Sequence, residues 1–200
     1  EKLPQALNRV LPPDVRVLAG AAVPACFNAR RDARLRRYVY EIVSGGPMPA
    51  LARQCFAWTP HALDAATMTE AAASWLGRHD FSSFRTAGCV AESPVRTLVR
   101  CDVEETVHPL QPARRVIRFT VESRSFLRSQ VRIMVGTLLV IGRGAAPVSW
   151  AAEVLAARSI DAAGPLAPAA GLALDHIAYD PPLFDLARAF RAGRSRRRDP

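Results

Sequence analysis

The sequence predicts an α+β domain built on an antiparallel or mixed sheet with helices on one face. Three observations carry that prediction. Short segments alternate apolar and polar residues, as half-buried strands do, whereas two later stretches repeat their apolar residues with the period of a helix. The order of elements, β, α, β, β, α, α, β, lacks the strict strand–helix alternation of a parallel sheet. The 200 residues, half of them hydrophobic and 22% charged, suffice for one sizeable core.

Residues 1–10 read as the end of a helix stopped by Leu11-Pro12-Pro13-Asp14, and Val15-Arg16-Val17-Leu18 then reads as a short strand. A polar, basic connector from Pro24 to Arg37 leads into a strand, Tyr38–Val43, whose alternation puts Tyr38, Tyr40 and Ile42 on one face. Gly45, Gly46, Pro47 and Pro49 break it. Asp64 caps a helix running to about Leu76, with Ala66, Met68, Ala72 and Leu76 available for a buried stripe. Val95–Val103 and Val116–Ser123 alternate as an antiparallel pair joined through a loose loop, residues 108–115. Leu127–Gly142 carries a helical stripe of Val131, Met134, Val135, Leu138 and Leu139. Another helix, Ser149–Ser159, follows Pro147, and Gly171–Tyr179 returns as a last strand. The expected organisation is 1–33 as the tail of a preceding domain plus connector, 34–185 as the α+β domain, and 186–200 as a basic tail.

The longest apolar run, Ile133–Gly142, is interrupted by Gly136 and Thr137 and bounded by Arg132 and Arg143. It falls short of the ~20 residues that a membrane span needs. Cys26, Cys55, Cys89 and Cys101 form no C-x-x-C pair and the four histidines are scattered, so no zinc signature exists. Widely spaced cysteines fit reduced thiols in a cytosol-like compartment.

Lys2 is the single lysine among the 27 basic residues, and the net charge is +9. The charge is blocked: +5 over residues 1–40, −3 over 41–112, +6 over 113–143, −4 over 144–185 and +5 over 186–200. Arginine grips phosphate with a bidentate fork, and positive blocks on a folded protein are the footprint of a polyanion, nucleic acid ahead of an anionic membrane. Biased codon usage, with a protein-interaction domain as the function, is the competing explanation.

Two residues stand out for chemistry. Arg132 lies inside an apolar helix, and an unpaired buried cation costs several kcal/mol. It either snorkels to solvent beside Arg128, or pairs with a structural carboxylate such as Glu122, or faces a carboxylate in a cleft. Tyr38 is either core or a stacking platform, since a planar ring beside arginines can hold an unpaired base.

Five segments together resemble the TruA-type tRNA pseudouridine synthases. Phe27-Asn28-Ala29-Arg30 with Arg36-Arg37-Tyr38-Val39-Tyr40 is similar to the family's F-H-A-R and R-x-Y-x-Y elements. Gly77-Arg78-His79-Asp80-Phe81-Ser82-Ser83-Phe84-Arg85 is similar to G-x-H-D-F-x-x-F. Ser93–Leu98, Ser125–Gly136 and Ala167–Leu174 follow in the family's order. The resemblance implies the C-terminal domain of the pseudouridine synthase fold plus the tail of its N-terminal domain. It further implies isomerisation of uridine in the tRNA anticodon arm with no metal or redox cofactor, and a homodimer in the bacterial cytoplasm or an organelle.

In the family an aspartate attacks the nucleotide, a tyrosine packs on the base and a basic residue pairs with the aspartate. Tyr38 and Arg132 match the latter two, and Leu172 matches a wall of the pocket. Arg30, Arg34, Arg37, Arg85, Arg96 and Arg128 are the expected RNA contacts. The aspartate motif, G-R-T-D-A-G-V-H, is absent; it is expected to precede residue 1, which makes this stretch inactive alone. A tRNA-binding module that never had the aspartate is the alternative. Asn28 replaces the usual histidine, and Arg31-Asp32 an apolar-Ser pair.

Overall fold

The computed structural model describes residues 2–51 and 54–183. The predicted basic tail at 186–200 lies outside them. Contacts divide the chain into two compact units, one of residues up to Arg34 with those from Ala178 onward, the other Leu35–Ile177.

In the first unit, α1 spans Lys2–Val10. Val15–Leu18 is not a strand. Asn8 explains why: its carboxamide donates to the Val17 carbonyl and accepts from the Val17 amide, both at 2.8 Å, so one side chain takes both backbone groups that a neighbouring strand would use. In the connector, Asn28 Oδ1 accepts from the amides of Arg30 and Arg31, and Asp32 Oδ2 accepts from the Asn28 amide at 2.8 Å. The two departures from the family motif thus support each other as one closed turn. Phe27 meets Tyr179 edge-on, and the Tyr179 hydroxyl donates to Ala29 O.

The second unit is a six-stranded mixed sheet. Its strands are β1 (Leu35–Ser44), β2 (Ala57–Thr59), β3 (Gly77–Asp80), β4 (Val95–His108), β5 (Gln111–Ser123) and β6 (Leu172–Ala178). The order is β2-β1-β5-β4-β3, with β6 also paired to β1. The β1–β2 ladder is parallel, whereas β1–β5, β5–β4 and β4–β3 are antiparallel. The loop expected at 108–115 is instead a tight turn at Pro109-Leu110, with His108 paired to Gln111. Polar and charged residues there satisfy their backbone groups in the ladder, so their composition hid an extension of both strands.

Tyr38, Tyr40 and Ile42 share the inner face of β1 with Val121, Phe119 and Ile117 of β5. Against this face pack α2 (Ala65–Ala73), α3 (Gln130–Gly142) and α4 (Trp150–Ala157) in one apolar cluster. The helices therefore do lie on one face, and the Asp64 side chain caps α2 by accepting from the Ala66 and Thr67 amides. The buried stripe of α2 is Met68, Ala71 and Ala72, continued by Trp75, while Ala66 and Leu76 are exposed. A one-residue rotation of the stripe follows from Trp75, whose large ring and Ala151-bonded indole fix which side is inside. The His79-Asp80 motif acts locally: Asp80 accepts from the amide and hydroxyl of Ser82, shaping a turn that buries Phe81 and Phe84.

The outer face of the sheet is apolar at one end, where Val43 and Val116 are buried with Phe56, and charged elsewhere. Arg37 Nε bonds Glu122 at 2.6 Å, Arg118 reaches Glu41 at 2.7 Å, and Arg100 pairs with Asp102. The first two are cross-strand neighbours, and such opposite-charge pairs stabilise a solvated sheet face by roughly 0.2–1 kcal/mol each, whereas Arg100 and Asp102 lie on one strand.

Two glycines set how closely the segment 164–167 approaches α3. A Cβ at Gly136 would overlap the Pro165 carbonyl oxygen, and one at Gly164 would stand 2.6 Å from Thr137 Cα. Gly136→Ala gains about 1 kcal/mol of helix propensity but forces two backbones apart, a cost of roughly 1–3 kcal/mol or more. The overlap should win: urea denaturation is expected to show a net loss of stability. Gly20→Ala, which meets nothing within 4 Å, should leave the midpoint unchanged.

Candidate active site

The segment 164–171 runs between α3 and β1 and is held from both sides. On the helix side, the Ala167 amide donates to the Arg132 carbonyl at 3.2 Å, and Arg132 Nε donates back to the Ala167 carbonyl at 2.7 Å. On the strand side, the Tyr40 hydroxyl donates to Pro168 O at 2.9 Å, and the Glu41 amide donates to Gly171 O at 2.9 Å. Gly171 lies so close that a Cβ would meet Glu41 O at 2.5 Å and the Tyr40 ring at 2.9 Å.

These contacts fix the guanidinium of Arg132. Its Nε is used, and its Nη1 and Nη2 make no hydrogen bond or ion pair with any described residue. Arg132 is half-buried rather than enclosed, and Glu122 is not its partner, being held by Arg37 and Arg100 on the outer face. A guanidinium oriented through Nε presents its two terminal nitrogens as a fork, the geometry that fits a carboxylate or phosphate. Its charge also reaches Tyr40: burial raises that phenol's pKa far above the ordinary value, and Arg132 partly opposes the rise.

The other two residues singled out in the sequence lie on the strand and at the end of the segment that these contacts join. Tyr38 precedes Tyr40 on the inner face of β1, half-buried, with its ring edge-on to Phe126 at 5.2 Å. Leu172 follows Gly171 and packs, like Tyr38, against the main core.

The expected RNA contacts separate into groups. Arg85, Arg96 and Arg128 come together around the loop 85–91. Arg85 Nη2 donates to the carbonyls of Cys89 and Ala91, Arg96 acts electrostatically on Arg85 and Cys89, and Arg128 Nη1 reaches Gly88 O at 3.4 Å. None of the three is ion-paired to a described carboxylate, and Arg96 Nε is buried without a partner among the described residues. Arg37 is different. It projects from the outer face of β1, opposite to Tyr38, and is neutralised by Glu122 and by Asp175 at 3.5 Å. Arg30 and Arg34 are exposed in the other unit.

Sequence reasoning passed over Tyr40, which reads as an ordinary core position, and Cys89, which has no motif. The signal for Tyr40 was a phenol at a position where a phenylalanine would pack as well, since a buried hydroxyl demands an acceptor.

Cys89 is half-buried, and its thiol pKa is lowered, chiefly by the backbone amide of Arg128, then by that of Ala91, with Arg85 contributing. Burial drives Cys101 the other way. Alkylation by iodoacetamide, followed by mass spectrometry across pH, should show Cys89 reacting with a midpoint below that of an ordinary thiol, because the thiolate is the nucleophile. Cys101 should stay unmodified until the protein unfolds. A Cys89 midpoint at or above the ordinary value would contradict the arrangement.

The chain is also similar to known proteins. A sequence model of the tRNA pseudouridine synthase family matches residues 71–180. The chain is 42% identical over 190 residues to the tRNA pseudouridine synthase A of Roseobacter denitrificans, covering 94% of this chain and 72% of that protein. It is 42% identical over 189 residues to that of Paracoccus denitrificans (94% and 71%), and 46% identical over 175 residues to that of Methylobacterium nodulans (87% and 66%). On these matches the chain belongs to the tRNA pseudouridine synthase family.

Proposed function

We propose that this protein isomerises uridine to pseudouridine in tRNA, and that Arg132, Tyr38 and Leu172 form its side of the reaction site. The observation that carries the reading is Arg132: a cation held in place through Nε, with both terminal nitrogens unengaged among the described residues. In the reaction the bond from N1 of uracil to C1′ of ribose breaks, the base turns, and C5 bonds to C1′ while its proton leaves and N1 gains one. By the family resemblance a carboxylate takes C1′ as N1 leaves and is itself displaced when C5 bonds C1′; among the described residues none is paired with Arg132, so this group comes from outside them. The guanidinium fork keeps that carboxylate ionised and aimed. Tyr38 packs on the uracil and Leu172 closes the pocket wall. No residue of this set requires a metal or redox cofactor.

Arg85, Arg96 and Arg128 supply the main phosphate contacts of their unit, and Arg30 and Arg34 supply those of the other. Arg37 contributes less, because two carboxylates already satisfy it. The substrate uridines lie in the anticodon arm, the protein works in the cytoplasm, and two copies share one tRNA; these three points rest on the family resemblance, the bacterial relatives supporting the second. Among the described residues, no helix is long and apolar enough to cross a membrane.

Two measurements test this reading. In the protein as the cell makes it, Arg132→Gln should lower pseudouridine formation by about 10²–10³-fold, the scale for losing an electrostatic group at a reacting centre, with tRNA still bound. Tyr38→Phe should impair turnover and keep binding, whereas Tyr38→Ala should also lose roughly 1–3 kcal/mol of base stacking. Binding of tRNA with no pseudouridine formed by the wild type would leave a tRNA-binding module instead.

Replacing Arg85, Arg96 and Arg128 together by glutamine should weaken tRNA binding and flatten its salt slope by about 0.7–0.9 for each phosphate no longer neutralised, since each released counterion contributes to that slope. The same triple change at Arg37, Arg100 and Arg118 should alter it less. An unchanged slope in the first variant would remove these residues from the RNA surface.

A further inference from the structure

Tyr40 has no place in the reaction as described, yet its hydroxyl bonds the same segment that holds Arg132. Only 1% of it is exposed, and its one polar atom bonds the Pro168 carbonyl. The next carbonyl upstream, that of Ala167, is the acceptor that orients Arg132. Two carbonyls one residue apart are normally decoupled by two soft torsions. Here Pro168 stands between them, and its ring locks φ, so only one torsion separates the plane held by Tyr40 from the plane that aims Arg132. Gly171 lets the chain return close enough to the ring for that bond to form.

We infer that Tyr40 is a positioning residue for the reaction, its hydroxyl fixing Pro168 O and thereby the Ala167 carbonyl that aims the Arg132 fork. The inference rests on the functional reading of Arg132, but its structural step does not need turnover to be observed. Tyr40→Phe keeps the ring in the core and removes only the link. The Ala167 carbonyl then gains a torsional freedom, and Arg132 Nε–H loses a fixed acceptor.

The test is nuclear magnetic resonance of the ¹⁵N-labelled chain. The Arg132 Nε–H signal is assigned by its disappearance in Arg132→Lys, and the Arg37 Nε–H, bonded to Glu122, serves as internal control. In Tyr40→Phe, hydrogen exchange at Arg132 Nε–H should quicken by on the order of tenfold, with Arg37 Nε–H unchanged. Pro168→Ala, which frees φ and leaves Tyr40 intact, should give the same selective quickening and covers the case in which Tyr40→Phe does not fold.

In the cell-made enzyme, Tyr40→Phe should lower kcat by on the order of tenfold and leave KM for tRNA unchanged, as outer residues that orient a reacting group do. Unchanged exchange at Arg132, or faster exchange at Arg132 and Arg37 together, would overturn the coupling. A wild type that makes no pseudouridine would overturn the functional reading, while the exchange result would still decide whether Tyr40 holds Arg132.

Discussion

The contact on which the candidate site depends is between two backbones: Gly136 of α3 against the carbonyl of Pro165, with Gly164 against Thr137 from the other side. Without side chains at those positions, the segment 164–167 can lie directly on the helix, and only then can Arg132 exchange two hydrogen bonds with Ala167. From there the chain crosses to β1 and is caught by Tyr40. Close approach of this kind is what glycine permits at the expense of helix propensity. An arginine on an apolar helix would otherwise have spread its long stem toward solvent. Here it is turned back onto its own neighbouring segment, and the charge is displayed in a defined direction.

Electrostatics divides the arginines into two populations with different roles. Those on the outer face of the sheet, Arg37, Arg100 and Arg118, stand beside Glu122, Asp102 and Glu41 and are internally compensated, as is Arg115 beside Glu105 at the end of the inner face. Such pairs at exposed positions contribute little to stability and leave little field for a polyanion. Those around the loop 85–91 have carbonyls and each other for company, and among the described residues no carboxylate pairs with them. Within the second unit, the arginines without a carboxylate partner among the described residues therefore include those at the loop 85–91 and Arg132, whereas those of the outer sheet face are paired. The net charge alone could not distinguish these populations.

Much of the fold was legible because it follows from local periodicity. The inner face of β1, the Asp64 cap and the buried stripe of α3 are each dictated by residues within one or two turns of chain. The strand misread at Val15–Leu18 had the right composition, but strand formation is decided by partners, and Asn8 supplied them from a side chain. The short strands β2 and β3 were hidden for a related reason, since three or four residues are too few to show a period. The site was legible only as a set of motif residues. That Arg37 and Tyr38, adjacent in one motif, face opposite sides of the sheet follows from the strand period and separates a compensated cation from a ring on the inner face. The Tyr40 link to Pro168 spans 128 residues, and no local pattern announces it.

The most direct measurement is a structure of the cell-made enzyme bound to a uridine-containing tRNA arm. The expected result has Nη1 and Nη2 of Arg132 on the two oxygens of one enzyme carboxylate, Nε still on the Ala167 carbonyl, and the Tyr38 ring against the uracil of the target nucleotide. Arg132 turned away from Ala167 onto an RNA phosphate, with no carboxylate within reach and Tyr38 still packed only on Phe126, would contradict it.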